Sequence, residues 1–247
     1  EEIAETPDPA PVPGPGGGGG RTAMLGGLLA LAGRTGGMEV ELLEIGASTG
    51  LNQNLDAFRY DFGEGPGWGD PASPVLVRHA WRGAPPPLDA RLSIATRAGC
   101  DLNPLDPSDP AARARLLAYI WPDQAERLAR AEAAIALAVA RPRPIEQADA
   151  AAWIEARLAA PQPEGRVRVV MHSIMWQYLP KPVQDRIAAA LAAAAARATP
   201  ARPVAWLRME PDADAGSAAL TLSLAPGEDD RLLARTDFHG RWTEWAG

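Results

Sequence analysis

The sequence predicts an α/β fold, in which short buried strands alternate with helices and assemble into one doubly wound, mostly parallel sheet. Three observations carry this expectation. The apolar runs Val40–Ile45, Val167–Met171 and Pro203–Met209 are too short for helices and read as strands buried on both faces, with helical patterns between them. The first of these runs ends in Gly46-Ala47-Ser48-Thr49-Gly50, a glycine-punctuated turn of the kind that leads a strand into a helix. Finally, Leu220–Leu224 and Arg231–Trp245 flank a Pro226-Gly227-Glu228-Asp229 turn, so a C-terminal antiparallel strand pair is expected after the last helix. This order makes the sheet Rossmann-like.

Taken along the chain, residues 1–20 hold five Pro and six Gly and are expected to form a flexible arm. Residues 21–247 read as a single domain with an insertion at about 56–90. Met24, Leu25, Leu28, Leu29 and Leu31 form one helical stripe, which Gly36-Gly37 stops. The insertion is rich in Gly, Pro and Trp and is expected to hold a small hairpin or loop. Leu92–Ala95 is a second short strand. Ser108 or Asp109 caps a helix with Pro110 at its first position. That helix breaks near Trp121-Pro122 and resumes over 123–140. Ile145–Gln147 is a strand, Ala151–Ala159 a helix, and Lys181–Ala198 an Ala-rich helix bounded by Pro182 and Pro200.

Charge and composition exclude several classes. The net charge is −7, and four of the 31 acids lie in the arm, so the body is nearly neutral; no nucleic-acid partner is expected. No apolar run reaches the length of a membrane span and no signal peptide is visible, so no membrane partner is expected either. One cysteine, Cys100, allows no intramolecular disulfide and no cysteine-built zinc site, and His79, His172 and His239 lack metal-ligand spacing. No metal is expected, and the setting is read as cytoplasmic. Oligomeric state leaves no sequence signal. The G-x-S-x-G, P-loop and H-E-x-x-H patterns are absent.

Four strand ends carry the polar residues that a ligand crevice needs. Glu44-Ile45-Gly46-Ala47-Ser48-Thr49-Gly50 lacks the second glycine of G-x-G-x-x-G, so it is a poor pyrophosphate cradle. It fits E-x-G-x-G-x-G with Ser48 in the middle slot and resembles the first motif of class I S-adenosylmethionine-dependent methyltransferases. That resemblance implies a cofactor held by Glu44, Gly46, Ser48 and Gly50. Asp101, in Gly99-Cys100-Asp101-Leu102-Asn103-Pro104, resembles the acid that accepts both ribose hydroxyls in those enzymes. Asp149 resembles the acceptor for the adenine amino group. Each of these aspartates also has an ordinary reading as a helix cap. Asn52, Asn54, Asp56, Arg59, Tyr60 and Asp61 follow the first motif, either as pocket lining or as a solvated loop.

The fourth strand end is His172-Ser173-Ile174-Met175-Trp176-Gln177-Tyr178. Its position implies catalytic roles for His172 and Tyr178, with His172 as general base, and substrate contacts from Ser173, Trp176 and Gln177. Trp176 and Tyr178 suit a flat substrate or a sulfonium. Glu210, ending the next strand beside Arg208, rims the same crevice. The competing reading is a satisfied core histidine with aromatics plugging a sheet edge. Phe238-His239-Gly240-Arg241-Trp242 reads as hairpin packing.

Several longer phrases, LLEIGASTGLN, RYDFG, GCDLNPLDPSDP, ADAAAWI, HSIMWQYLP, WLRMEP and HGRWTEW, are similar to the bacterial DUF2332 family, over about residues 21–245. Where that family carries a Gln-Thr-Asn-Glu stretch before the Gly-Arg matching Gly20-Arg21, this chain has glycines. The motifs together imply a methyltransferase-like fold with S-adenosylmethionine as cofactor and a small molecule as substrate. Two other expectations stand beside it: a degenerate methyltransferase fold serving as a binding or regulatory module, and a metal-free hydrolase or transferase using His172 with an acid.

Overall fold

The computed structural model describes residues 18–63, 66–118, 120, 124–214, 216–238 and 241–247. Most of the arm expected at 1–20, the Trp121-Pro122 break and His239-Gly240 lie outside the described residues. The elements in chain order are α1 (Gly18–Arg34), β1 (Glu39–Ile45), β2 (Arg59–Asp61), β3 (Leu76–Arg78), β4 (Ala80–Arg82), β5 (Ile94–Asp101), α2 (Pro110–Ala118), α3 (Ala125–Ala140), β6 (Ile145–Gln147), α4 (Ala150–Ala159), β7 (Arg166–Ser173), α5 (Lys181–Arg197), β8 (Val204–Pro211), β9 (Ala218–Ala225), β10 (Glu228–Thr236) and β11 (Trp242–Trp245). Leu51–Ala57 and Trp176–Tyr178 form 3-10 turns.

The main sheet has nine strands in the order β4-β11-β10-β9-β8-β7-β1-β5-β6. Its parallel part is β6-β5-β1-β7-β8. The chain enters at β1, winds outward through β5 and β6, then returns to build β7 and β8 on the other side. Strand order therefore reverses between β1 and β7, the place at the carboxyl edge where open α/β sheets bind their ligands.

Period-two alternation sends each central strand's side chains to opposite faces. Val40, Leu42, Val169, Met171 and Leu207 pack toward α1 in one core. Leu43, Ile45 and Val170 pack toward α4 and α5 in another, with Trp153, Ile154, Ile187 and Leu191. Burial on both faces is what makes these strands continuous apolar runs. Helix α1 lies directly on the sheet: a Cβ added to Gly27 would stand 2.5 Å from Leu207 Cδ1. Among the described residues, no helix is long and apolar enough to cross a membrane.

Three elements differ from the sequence reading. The 56–90 segment holds a parallel pair, β2 with β3, rather than a hairpin, and sends β4 to the edge of the main sheet beside β11. Trp68 pairs antiparallel with Tyr60 inside it, exchanging both backbone hydrogen bonds at 2.8 and 3.0 Å. Strand β5 runs on through Gly99 to Asp101, because Gly99 leaves room for Ile145 and Ala47, which a Cβ there would meet at 2.9 and 3.0 Å. At the C-terminus, β9, β10 and β11 form three antiparallel strands rather than two.

Candidate functional site

Glu44 is the last even-numbered residue of β1, so alternation turns it to the α1 face, where it is 2% exposed. The 51–57 turn meets it there. Asn52 Nδ2 donates to one carboxylate oxygen at 2.9 Å and Gln53 Nε2 to the other at 2.7 Å. Arg21, in the first turn of α1, donates from Nε to Asn52 Oδ1 at 3.3 Å. Burial pushes the Glu44 carboxyl up to about 7, against the pull of those hydrogen bonds and of Arg21. Burial also lowers the Arg21 guanidinium to about 10. The turn itself is fixed by Arg97, which grips both oxygens of Asp56 at 2.8 and 2.6 Å.

The turn after β1 is left-handed at Gly46, Ser48 and Gly50, with φ of 68°, 53° and 69°. Ser48 thus occupies a conformation that favours glycine, which explains why the motif it resembles has glycine in that slot. Its backbone N–H donates to Asp101 Oδ2 at 2.9 Å, and Asp101 Oδ1 accepts from Asn103 N at 2.9 Å. Asp101 therefore joins the ends of β1 and β5 and keeps part of its acceptor capacity. Asp149 caps α4, accepting from Ala152 N at 2.9 Å, with Arg186 3.8 Å away. It does not join the Glu44 network.

Across the reversal point, β7 and β8 bring His172 and Glu210 together. His172 is 1% exposed, and its Nδ1 lies 2.7 Å from Glu210 Oε1. The Trp206 indole N–H donates to Nε2 at 3.0 Å, so Nε2 carries the lone pair and Nδ1 the proton that Glu210 accepts. Trp176 stacks on the ring, with centroids 5.2 Å apart and planes 15° apart, and the Arg208 guanidinium lies 4.1 Å over Trp206. The nitrogen of His172 that a general base would use accepts from the Trp206 indole in this structure.

The loop after β7 crosses back toward β1. Ile174 has φ of 49°, an unfavourable conformation for a β-branched residue, and this kink sends Ile174 to the α1 core and Met175 to the opposite one. Met175 N donates to both Glu210 oxygens at 3.1 and 3.2 Å. Its side chain covers Gly46, where an added Cβ would meet Met175 Cγ and Cε at 3.0 Å. Ser173 is half-buried; Gln177 and Tyr178 are exposed.

The structure thus joins Glu44, Gly46, Ser48 and Asp101 at one strand pair, and His172, Trp176 and Glu210 at the next, with Met175 between. Gln53, Arg21 and Arg97 take part beyond the residues expected from sequence: Gln53 adjoins Asn52, Arg21 is a cation placed within the apolar pattern of α1, and Arg97 lies on a stretch of β5 with no motif of its own.

These features define an α/β protein whose polar residues gather at the carboxyl edge of a mostly parallel sheet, beside a reversal of strand order. The chain belongs to the family described as an uncharacterized protein conserved in bacteria, DUF2332, whose model matches residues 19–245. No curated protein and no solved structure matches it.

Proposed function

We propose that this protein is a Rossmann-like, S-adenosylmethionine-dependent methyltransferase-like protein acting on a small molecule. The observation that supports this best is the 2.9 Å bond from Ser48 N to Asp101 Oδ2. It draws the glycine turn of β1 and the acid of β5 together beside the crevice. Asp101 suits such a cofactor, being partly exposed with acceptor capacity left for hydroxyl donors, whereas Met175 covers Gly46 and Ile145 stands against Gly50, so access to the glycine turn requires the Met175 side chain to swing aside. Gly46, Ser48 and Gly50 would hold the methionine end, with Glu44 acting from behind through Asn52 and Gln53, Asp101 would hold the ribose and Asp149 the adenine. When bound, the cofactor supplies an activated methyl group. His172 serves as a positioning residue, fixing Glu210 and the Met175–Tyr178 loop, while Gln177 and Tyr178 face the acceptor from exposed positions.

Calorimetry on the full chain with S-adenosylmethionine and with its demethylated product tests the reading. Saturable heat with both is expected, lost in Asp101→Ala at an unchanged circular dichroism spectrum. No heat with either at millimolar concentration overturns it.

A second reading, a catalytically degenerate fold acting as a binding or regulatory module, is favoured by one observation: both ring nitrogens of His172 are engaged by protein groups. It expects adenosyl-ligand binding without transfer to any acceptor in a small-molecule panel.

A further inference from the structure

We propose that α1, α3 and the 51–57 turn build a binding site for a compact, multiply charged oxyanion of the phosphate class, with Arg21, Arg127 and Arg130 as its cations. The inference stands apart from the methyltransferase reading, although Asn52 borders both sites.

Arg21 is the first ground for it. This side chain is 5% exposed and its guanidinium lies 5.9 Å over the Phe58 ring, yet among the described residues its one hydrogen bond, to Asn52 at 3.3 Å, uses only Nε. Among the described residues, neither terminal nitrogen of the guanidinium has an acceptor or an ion-pair partner. A buried cation ordinarily spends its N–H groups on carboxylates or carbonyls, because an unpaired buried charge is costly. Glu44 is the acid whose charge reaches Arg21, but Asn52 and Gln53 already occupy its two oxygens.

The second ground is the pattern on α3. Ala131, Ala134, Ile135, Leu137 and Ala138 form its buried stripe, and Ala134 and Leu137 belong to the core that includes α1. Extending that stripe toward the helix start, by three to four residues at a time, gives Arg130 and Arg127. Both are half-buried, and neither forms an ion pair among the described residues. Among the described residues, Arg127 hydrogen-bonds to the neutral Gln124 alone, at 2.9 Å. The charges of Arg127 and Arg130 both reach Arg21, and each of the two lowers its affinity for a proton, as does burial.

The buried Arg168 and the half-buried Arg97 and Arg208 are treated the opposite way. Arg168 is paired with Glu41 at 2.8 Å, Arg97 with Asp56 at 2.6 Å and Arg208 with Asp230 at 2.5 Å. Three guanidiniums whose charges act on one position, with no acid paired to them among the described residues, match an anion able to accept from several forks at once, which favours phosphate over a single carboxylate. Arg127 also lies in the first turn of α3, where the helix dipole carries charge of the same sign.

The test uses inorganic phosphate and the full chain. Melting temperature is measured against phosphate concentration, with sodium chloride and sodium acetate as controls at matched ionic strength, and affinity is taken by calorimetry. A saturable rise with phosphate alone is expected. Arg127→Gln and Arg130→Gln, on a half-buried helix face, are expected to keep the ligand-free melting temperature and to bind phosphate at least tenfold more weakly. Arg21→Gln should abolish binding, and Arg186→Gln, on α5 and paired with Glu155, should leave it unchanged. Equal responses to phosphate, acetate and chloride overturn the proposal, as does undiminished phosphate binding by Arg127→Gln and Arg130→Gln.

Discussion

His172 donates from Nδ1 to Glu210 across 2.7 Å, and the same Glu210 carboxylate receives the backbone N–H of Met175 at 3.1 Å. One acid at the end of β8 thereby satisfies a buried imidazole on β7 and the loop that follows it. Removing that acid leaves two donors without an acceptor. Glu210→Ala is expected to cost about 2–4 kcal/mol of stability, and Glu210→Gln, which keeps a carbonyl oxygen, distinctly less. Urea unfolding measures both; a loss below about 0.5 kcal/mol for the alanine variant would show that the pairing is dispensable.

Glu44 sets a pH dependence. Its carboxyl rises from an ordinary 4.5 to about 7 on folding, first because of burial. Between those values the folded chain holds a proton that the unfolded chain has released. Stability is therefore greatest below about 4.5 as far as this group is concerned, and falls as pH rises to about 7. The slope from this group reaches at most about 1.4 kcal/mol per pH unit. Glu44→Gln is expected to flatten the profile between pH 5 and 7, read by urea midpoints at unit steps. An unchanged slope would mean that Glu44 is ionised throughout. Gln53 Oε1 is buried without a partner among the described residues. With its amide turned over, that oxygen accepts the proton of a neutral Glu44.

Ser48 sits at φ 53° without glycine's freedom. Ser48→Gly is expected to gain about 0.5–1 kcal/mol, and Ser48→Val, β-branched in the same conformation, to lose more than that. Thermal denaturation at fixed pH separates them. A serine-to-glycine change that destabilises would place the value of Ser48 in its hydroxyl rather than its backbone.

Contact between α1 and the sheet is a further target. Gly27→Ala is expected to cost about 1–3 kcal/mol, since its Cβ meets the head of Leu207 in a filled core. Adding Leu207→Val should recover part of the loss. A double variant no more stable than the sum of the two single changes would deny the contact.

Much of this arrangement was readable from residue patterns. Asp109 and Pro110 marked the start of α2, and Asp149 caps α4 as its position before an apolar run suggests. Short apolar runs announced β1, β7 and β8 because burial on both faces demands them. Strand β5 was legible only at its start: Thr96, Arg97 and Gly99 carry no apolar pattern, and pairing with β1 imposes their extended form. Likewise the β2–β3 pairing is parallel and joins residues 17 apart, which no local turn signal encodes. At the site, the strand-end rule gathered Glu44, Ser48, Asp101, His172 and Glu210 correctly at one edge. It said nothing about which way the His172 ring faces, because that depends on Trp206, a neighbour supplied by another strand.

The position of Met175 carries one more consequence. Its side chain rests over Gly46 while its backbone N–H is tied to the acid that holds His172. A shift of the Met175 backbone away from the β1 turn would stretch its bond to Glu210, and so reach the imidazole beyond it. The two polar clusters thus share Met175, whose side chain touches one and whose backbone is bonded to the other.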